Sequence, residues 1–482
     1  MKKIKGLILA LCVLLTATGC NNDSEKDNES SSSHSSPTTS APEDDESSEK
    51  ETTVQNEQSE ESVTEENTTE ENTTEENSIE ESTEEPATEE STTEESEKEI
   101  AESETQILHI NRKTMYESEL SEEYGIVMVE SECSSVLLDN SDAEHYPELA
   151  AVLKDNAKAQ EESMKAEYDM FTESAMESLS LDEQGFDTLV STIDVHVRRA
   201  DDTVLSILYD SYYYNGMNDG NRSFWGGNYD TKTGKEIYLP DVVTDMNEFA
   251  KVVEAQLFRD FGADIFYSDT IIEDYFKEYG ADGTHWTMEY NGVTVYFSEG
   301  EIANSGVGAM SVTVEFAEYP ELFKEKYTDV PESYIVGVPM KSPFRTDLDG
   351  DGSSDELILS DSYDEEFAWN ATLTIATEEA DYNESFPAYG CEPYYVKTAD
   401  GKHYIYLLTE LETQYELYTY AITNTTISKV GEQTISPYYN DGVSSALTDP
   451  DNMHFDIFGN ADVEPVGDDF FTVGADGMPV MK

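Results

Sequence analysis

From Ile107 onward the polar and apolar positions fall into short alternating runs. Ile107–Tyr116 and Tyr124–Leu138 are rich in β-branched residues. Ile126, Met128 and Glu130 alternate with Val127 and Val129, the period of a half-buried strand. Between Tyr146 and Leu179 the period lengthens. Leu149 and Leu153, then Met164, Tyr168, Phe171, Ala175 and Leu179, keep one apolar stripe and predict a long helix with Pro147 in its first turn. Leu189–Val197 and Val204–Tyr209 return to strand patterns. Tyr212-Tyr213-Tyr214 then precedes a Gly-rich segment, Asn215–Gly227. Asn228-Tyr229-Asp230 runs through Thr231–Gly234 into Glu236–Leu239, a hairpin whose turn ends in a permissive glycine. Asp245 with Glu248 forms a capping box for a helix bearing Phe249, Val252, Val253 and Leu257. A second helix is predicted over Thr270–Tyr279. Trp286–Tyr290 and Val293–Phe297 flank Asn291-Gly292, a hairpin signature, and Met310–Phe316 reads as a closing strand.

Beyond Pro343 only strands are predicted: Ala371–Ala376, Tyr394–Lys397, Tyr404–Thr409, Tyr415–Ile422 and Thr426–Val430, with a turn at Asp400-Gly401. The expected class is α+β: a mixed α+β domain over 104–330, then a small mostly-β domain over 340–482. A partial propeller or a small sandwich fits the strand spacing of the second.

The first hundred residues change the picture. The chain has 482 residues, 106 Asp+Glu against 27 Lys+Arg, and a formal charge of −79. Such charge argues against a nucleic-acid binder, which needs a basic footprint, and points to a basic partner, to metal cations, or simply to solubility. Lys2, Lys3 and Lys5 precede an uncharged, mainly apolar run, Gly6–Thr18, too short to span a bilayer. Ala17-Thr18-Gly19-Cys20 follows and resembles the bacterial lipoprotein signal. That resemblance implies a signal peptide over 1–19, cleavage after Gly19, and diacylglycerol on Cys20, which holds the protein on the outer face of a membrane. Residues 20–103 are an acidic Ser/Thr/Glu-rich tether. Residues 21–103 contain 30 Asp+Glu, 3 Lys and no aromatic residue, so nothing offsets chain entropy. A flexible chain of that length averages roughly 50 Å end to end, and self-repulsion extends it. All 30 Tyr, 18 Phe and 3 Trp lie beyond it, in a part that still carries −55.

The order of features over 104–325 carries a family resemblance. A strand pair, long helix and strands lead to Asn228-Tyr229-Asp230-x-x-Thr233-Gly234-Lys235-Glu236-Ile237 and Leu239-Pro240-Asp241. Paired helices, Val295-Tyr296-Phe297, Glu301-Ile302-Ala303, Gly308 and a Val-rich strand complete it. This resembles the extracellular domain of the anti-sigma-V factor (RsiV) family, a module also found in some peptidoglycan deacetylases. The resemblance implies a mixed α+β fold and, from the family's best-known member, lysozyme binding.

Asp347-Leu348-Asp349-Gly350-Asp351-Gly352-Ser353-Ser354-Asp355 puts carboxylates at loop positions 1, 3, 5 and 9, a glycine at 6, and the Ser353 carbonyl at 7. Calcium takes six to eight oxygens, and this loop supplies most of them. Position 12 is Ile358, so it is no EF-hand. It resembles the loops of integrin-like and FG-GAP propeller blades, and the expected role of calcium is structural.

Catalytic signatures are missing. No two histidines beyond the tether are close enough for a helical zinc pair, and no nucleophile elbow or P-loop occurs. His196, between Val195 and Val197, reads as a packed or surface histidine. Cys133 and Cys391 are two free thiols or a cross-domain disulfide. The reading is a surface lipoprotein that binds rather than catalyses, recognising lysozyme or another basic wall-active protein. The alternatives are an accessory or hydrolytic enzyme acting on cell-wall glycan, and a structural or adhesive module.

Overall fold

The computed structural model describes residues 105–482 apart from 182–185, 217–219, 349, 353, 365–367, 377–380, 389, 412–414, 424–425, 438, 441–442 and 457–468. Strands β1 (Ile110–Ser121) and β2 (Ile126–Leu138) pair antiparallel, from Ile110↔Leu138 to Ser121↔Ile126. A bulge at Glu119/Leu120 leaves Met128 without an opposite residue, so Met128 and Val129 both enter the core. Helix α1 (Asn140–His145) starts at Asp139, whose carboxylate accepts from Asp142 N at 2.7 Å. Helix α2 (Pro147–Leu181) buries Leu149, Leu153, Met164, Phe171, Ala175 and Leu179, the stripe its period predicts. At 1.5 Å per residue it is about 50 Å long, enough to run the length of β2 and return the chain to the start of a parallel neighbour. That neighbour is β3 (Leu189–Ala200), followed antiparallel by β4 (Val204–Tyr214) and β5 (Asn221–Asp230).

Asp230 and Lys235 then close the predicted turn, and a Cβ on Gly234 (φ 62°) would sit 2.8 Å from the Glu148 backbone. Helices α3 (Leu239–Val242), α4 (Met246–Phe261) and α5 (Ile271–Gly283) follow. Asp245 caps α4, accepting from Asn247 N and Glu248 N at 3.0 and 3.1 Å. Glu248 pairs with Lys251. Strands β6 (Trp286–Met288), β7 (Gly292–Phe297) and β8 (Met310–Glu315) make a three-stranded sheet. Phe249, Val253 and Leu257 of α4 pack against its Val293, Val295, Val312 and Val314.

The rest is strand. β9 (Tyr334–Gly337), β10 (Phe344–Thr346), β11 (Asp355–Asp364), β12 (Ala368–Ala376), β13 (Asp381–Pro387), β14 (Gly390–Lys397) and β15 (His403–Glu410) come first. β16 (Tyr415–Thr423), β17 (Thr426–Pro437), β18 (Tyr439–Asn440), β19 (Val443–Ser445), β20 (Met453–Asp456), β21 (Asp469–Val473) and β22 (Pro479–Met481) complete the chain. A four-stranded sheet, β10-β11-β12-β13, shares a core with the eight-stranded β22-β21-β20-β17-β16-β15-β14-β9. Leu357, Leu359 and Leu373 meet Tyr395, Ile405, Leu407 and Tyr420 there. The first sheet has seven strands, β18-β19-β1-β2-β3-β4-β5, with Asn111 opposite Ser445. No helix among the described residues is long and apolar enough to cross a membrane.

The expected class, a mixed α+β domain followed by a small mostly-β one, is therefore corrected. Among the described residues the protein is mostly β, with 47% strand against 26% helix in several sheets. Part of the Gly-rich segment is strand: Gly226 is forced by packing, because a Cβ there would lie 1.7 Å from Trp286 O. β9, β10, β18 and β19 are two to four residues long, too short to show a period. Of these, β9 and β19 gain partners from far along the chain, Tyr334 opposite Lys397 and Ser445 opposite Asn111.

Two contacts fasten distant segments. A second bulge, at Val197/Arg199, lets Arg198 and Arg199 both be buried. Arg198 pairs with Glu289 (Nε–Oε1 3.0 Å) and donates to Gly337 O. Arg199 pairs with Asp201 at 2.7 Å and donates to Tyr327 O (2.6 Å) and Asp329 O (3.0 Å). His109 stands between Asp142 (3.1 Å) and Asp449 (3.6 Å). Its hydrogen bond with Asp142, helped by Asp449, raises its pKa to about 10.

Candidate functional site

One face of the seven-stranded sheet carries α2: Lys113 reaches Glu161, Glu119 receives the Tyr168 hydroxyl, and Ser191 donates to Glu167. The opposite face follows by alternation. The registers set Tyr116 beside Glu132, Glu132 beside Thr192, Thr192 beside Tyr212 and Tyr212 beside Arg222. The next row is Ser118, Glu130, Val190 and Tyr214. Tyr116 is 56% exposed and Tyr212 37%, so this end of the face is open.

Charge concentrates where the open face meets β14 and β15. Arg112 bridges Glu392 (2.6 Å) and Asp194 (3.5 Å), and the Tyr394 hydroxyl donates to Glu392 at 2.6 Å. Arg222 holds Asp210 through Nε (2.8 Å) and Nη2. His196 Nε2 lies 3.8 Å from both Asp194 and Asp210, without a hydrogen-bond partner. Burial alone would raise the Glu392 carboxyl, but Arg112 and the Tyr394 hydroxyl outweigh it and hold it low. Glu132 is pushed up, first by the protein packed around it, then by Asp194, against the pull of Arg112, with Glu392 and Glu410 adding repulsion. The face therefore holds Glu130, Glu132, Asp194, Asp210, Glu392 and Glu410 against two arginines that are already paired. A guanidinium or ammonium group arriving from outside relieves that repulsion, and the tyrosine rings offer it flat apolar surface.

None of these residues was singled out in the sequence as a site. The available signal was the period-two run Glu130, Glu132, Ser134 on β2. What it lacked was the partner strand, since Glu392 lies 280 positions from Arg112.

The residues that were singled out stand elsewhere. Cys20, with the signal and tether, lies outside the described residues, as do Asp349 and Ser353 of the acidic loop. Asp347 accepts from the amides of Gly350 (2.6 Å), Asp351 and Gly352 (3.0 Å each). Asp355 is buried at the start of β11 and accepts from Leu348 N at 2.9 Å. The loop thus closes on itself through two of the candidate carboxylates. Asp351 is exposed. Among the described residues, no group of three or more His, Cys, Asp or Glu is placed to hold a metal ion. Cys133 and Cys391 are free, and burial pushes both thiols up to about 12.

Two solved structures of DUF3298 family proteins resemble part of the chain. One, from Bacteroides fragilis, is 14% identical with a TM-score of 0.35, covering 46% of this chain and 96% of that one. The other, from Pseudomonas aeruginosa, is 16% identical with a TM-score of 0.28, covering 45% and 95%. No protein-family model matches the chain, and no curated protein does.

Proposed function

We propose that the protein is a non-catalytic binding module, held at the outer face of a membrane through Cys20, that docks a basic protein of the lysozyme kind on its open sheet face. The observation that carries this reading is the excess of carboxylates on that face, flanked by exposed Tyr116 and Tyr212. The net charge of the folded part steers a basic protein toward it. The RsiV-like order of features in 104–325 supports the same partner class. The acidic loop takes calcium in this proposal, through Asp347, Asp349, Asp351, Asp355 and the Ser353 carbonyl, as a structural ion.

Charge alone attracts any cation, so the test must separate steering from recognition. The full chain is immobilised and titrated with lysozyme and with an equally basic control protein, at 0.1 M and 1 M salt. The Debye length falls from about 10 Å to about 3 Å between them. Specific docking loses on-rate at high salt but keeps measurable affinity, and Glu130→Lys with Glu132→Lys weakens it further. Equal binding of both proteins, or complete loss at 1 M salt, removes the reading.

A further inference from the structure

The row of the sheet face beside Thr192 and Tyr212 holds a like-charge pair. Asp194 on β3 stands directly opposite Asp210 on β4. Carboxylates that face each other across a ladder destabilise it unless cations intervene. Two arginines answer from the flanks: Arg112 of β1 reaches Asp194 at 3.5 Å, and Arg222 of β5 holds Asp210 at 2.8 Å through Nε. Between the aspartates, His196 Nε2 lies 3.8 Å from an oxygen of each.

The compensation is uneven. Burial alone would raise the Asp210 carboxyl, but Arg222 and then His196 outweigh it and hold it low. Asp194 shares Arg112 with Glu392, which takes the shorter contact, 2.6 Å. The His196 side chain is 11% exposed, so water screens its contacts with the two aspartates poorly.

The other charged groups around His196 are already engaged. Glu392 and Tyr394 of β14 bond to each other. Arg198, two residues along β3, is committed to Glu289, and His454 of β20 meets the Ser445 hydroxyl through Nδ1 at 3.2 Å. β9 passes with Gly337, where a Cβ would lie 3.7 Å from the His196 Cβ. Glu132 of β2, crowded by Glu410 of β15, stands one row further out, opposite Thr192. Histidine is the side-chain type whose charge changes between pH 5 and 8.

We propose that His196 is a proton sensor for the sheet face. On taking up a proton it bridges Asp194 and Asp210, and the added positive charge weakens the hold of the face on a basic partner in mild acid. The regulatory part rests on the docking proposed above; the bridge does not.

Two measurements on the full chain separate these parts. Melting temperatures of wild type and His196→Gln are compared at pH 8 and pH 5.5. An imidazolium held by two carboxylates stabilises the fold only where it is charged, so wild type should gain at least about 1 °C on the variant as pH falls. Wild type should gain on Asp194→Asn in the same direction, a second reading if His196→Gln folds poorly. Lysozyme affinity is then measured for wild type and His196→Gln at pH 7.5 and 5.5 in 0.1 M salt. Wild type should lose at least about threefold more than the variant, since the charge of lysozyme and the titration of Glu132 are common to both. No gain in melting temperature on either variant overturns the bridge, and equal losses of affinity overturn the sensor. A gain in melting temperature with no lysozyme binding at either pH removes the docking reading instead and keeps the bridge.

Discussion

Arg199→Met is expected to be among the most destabilising single substitutions in this protein. Arg199 and Asp201 are both fully buried. Removing one member of such a pair costs about 3–5 kcal/mol, because the other charge is stranded. Asp201 would not be wholly stranded, since its Oδ1 still accepts from Thr203 N and Val204 N at 2.8 Å. That places the electrostatic part near the low end, about 3 kcal/mol. The carbonyls of Tyr327 and Asp329 lose their donors as well, for about 1 kcal/mol each when water cannot replace them. Met keeps the apolar stem, so packing changes little. The expected loss is therefore about 4–5 kcal/mol, a large share of a typical 5–15 kcal/mol stability. Asp201→Asn keeps the backbone acceptor but leaves the guanidinium unpaired, and should cost about 3 kcal/mol. The double substitution should cost clearly less than the two singles together. Urea unfolding followed by tryptophan fluorescence, with equal m-values, measures all three. A loss below about 1 kcal/mol for Arg199→Met, or strict additivity in the double variant, refutes the reasoning.

The His109 contact predicts a pH dependence. Its folded pKa, about 10, lies above the unfolded value of 6.5, so its stabilisation is complete below pH 6.5 and disappears as pH rises toward 10. His109→Gln should cost about 1–2 kcal/mol at pH 6, discounted for partial exposure, and almost nothing near pH 10.5; a gap that does not change with pH rejects this. Millimolar calcium should raise the melting temperature of the full chain, and Asp349→Ala with Asp351→Ala should abolish the rise. Identical melting curves in calcium and in chelator would remove the ion. Cys20→Ser should release the protein to the medium or leave it unprocessed, and a wild-type protein without a metabolically labelled lipid contradicts the anchor.

Local order was legible where a period ran long enough. The stripe of α2, the Asp245 cap and the Asp400-Gly401 turn stand where their residues indicated, whereas the hairpin before β7 turns one residue earlier than Asn291-Gly292, on Tyr290-Asn291, with Glu289 N donating to Gly292 O. The balance of strand and helix was not legible. β18 and β19 have five residues between them, and β19 joins the edge that β1 presents more than 300 positions earlier. The Gly226-Gly227 pair imitates a loop for a reason visible only beside Trp286. The sheet face was hidden in the same way. Its tyrosines and glutamates obey strand alternation, but of the charges that crowd Glu132 only Asp194 belongs to the same sheet, and Glu392 and Glu410 come from β14 and β15.

The pairing of β19 with β1 also decides how the protein bears load. Were the chain held through Cys20 as proposed, force from that attachment would enter the fold at the first described residues. There Leu108 N donates to Ala200 O, the Thr448 hydroxyl donates to Leu108 O, and Ala446 N donates to Ile110 O. β1 then runs between β2 and β19, with a neighbour on either side. A pull along this strand must break these bonds and both ladders together instead of peeling one pair at a time. This end of β1 is thereby a shear clamp, resistant to a pull applied along the strand.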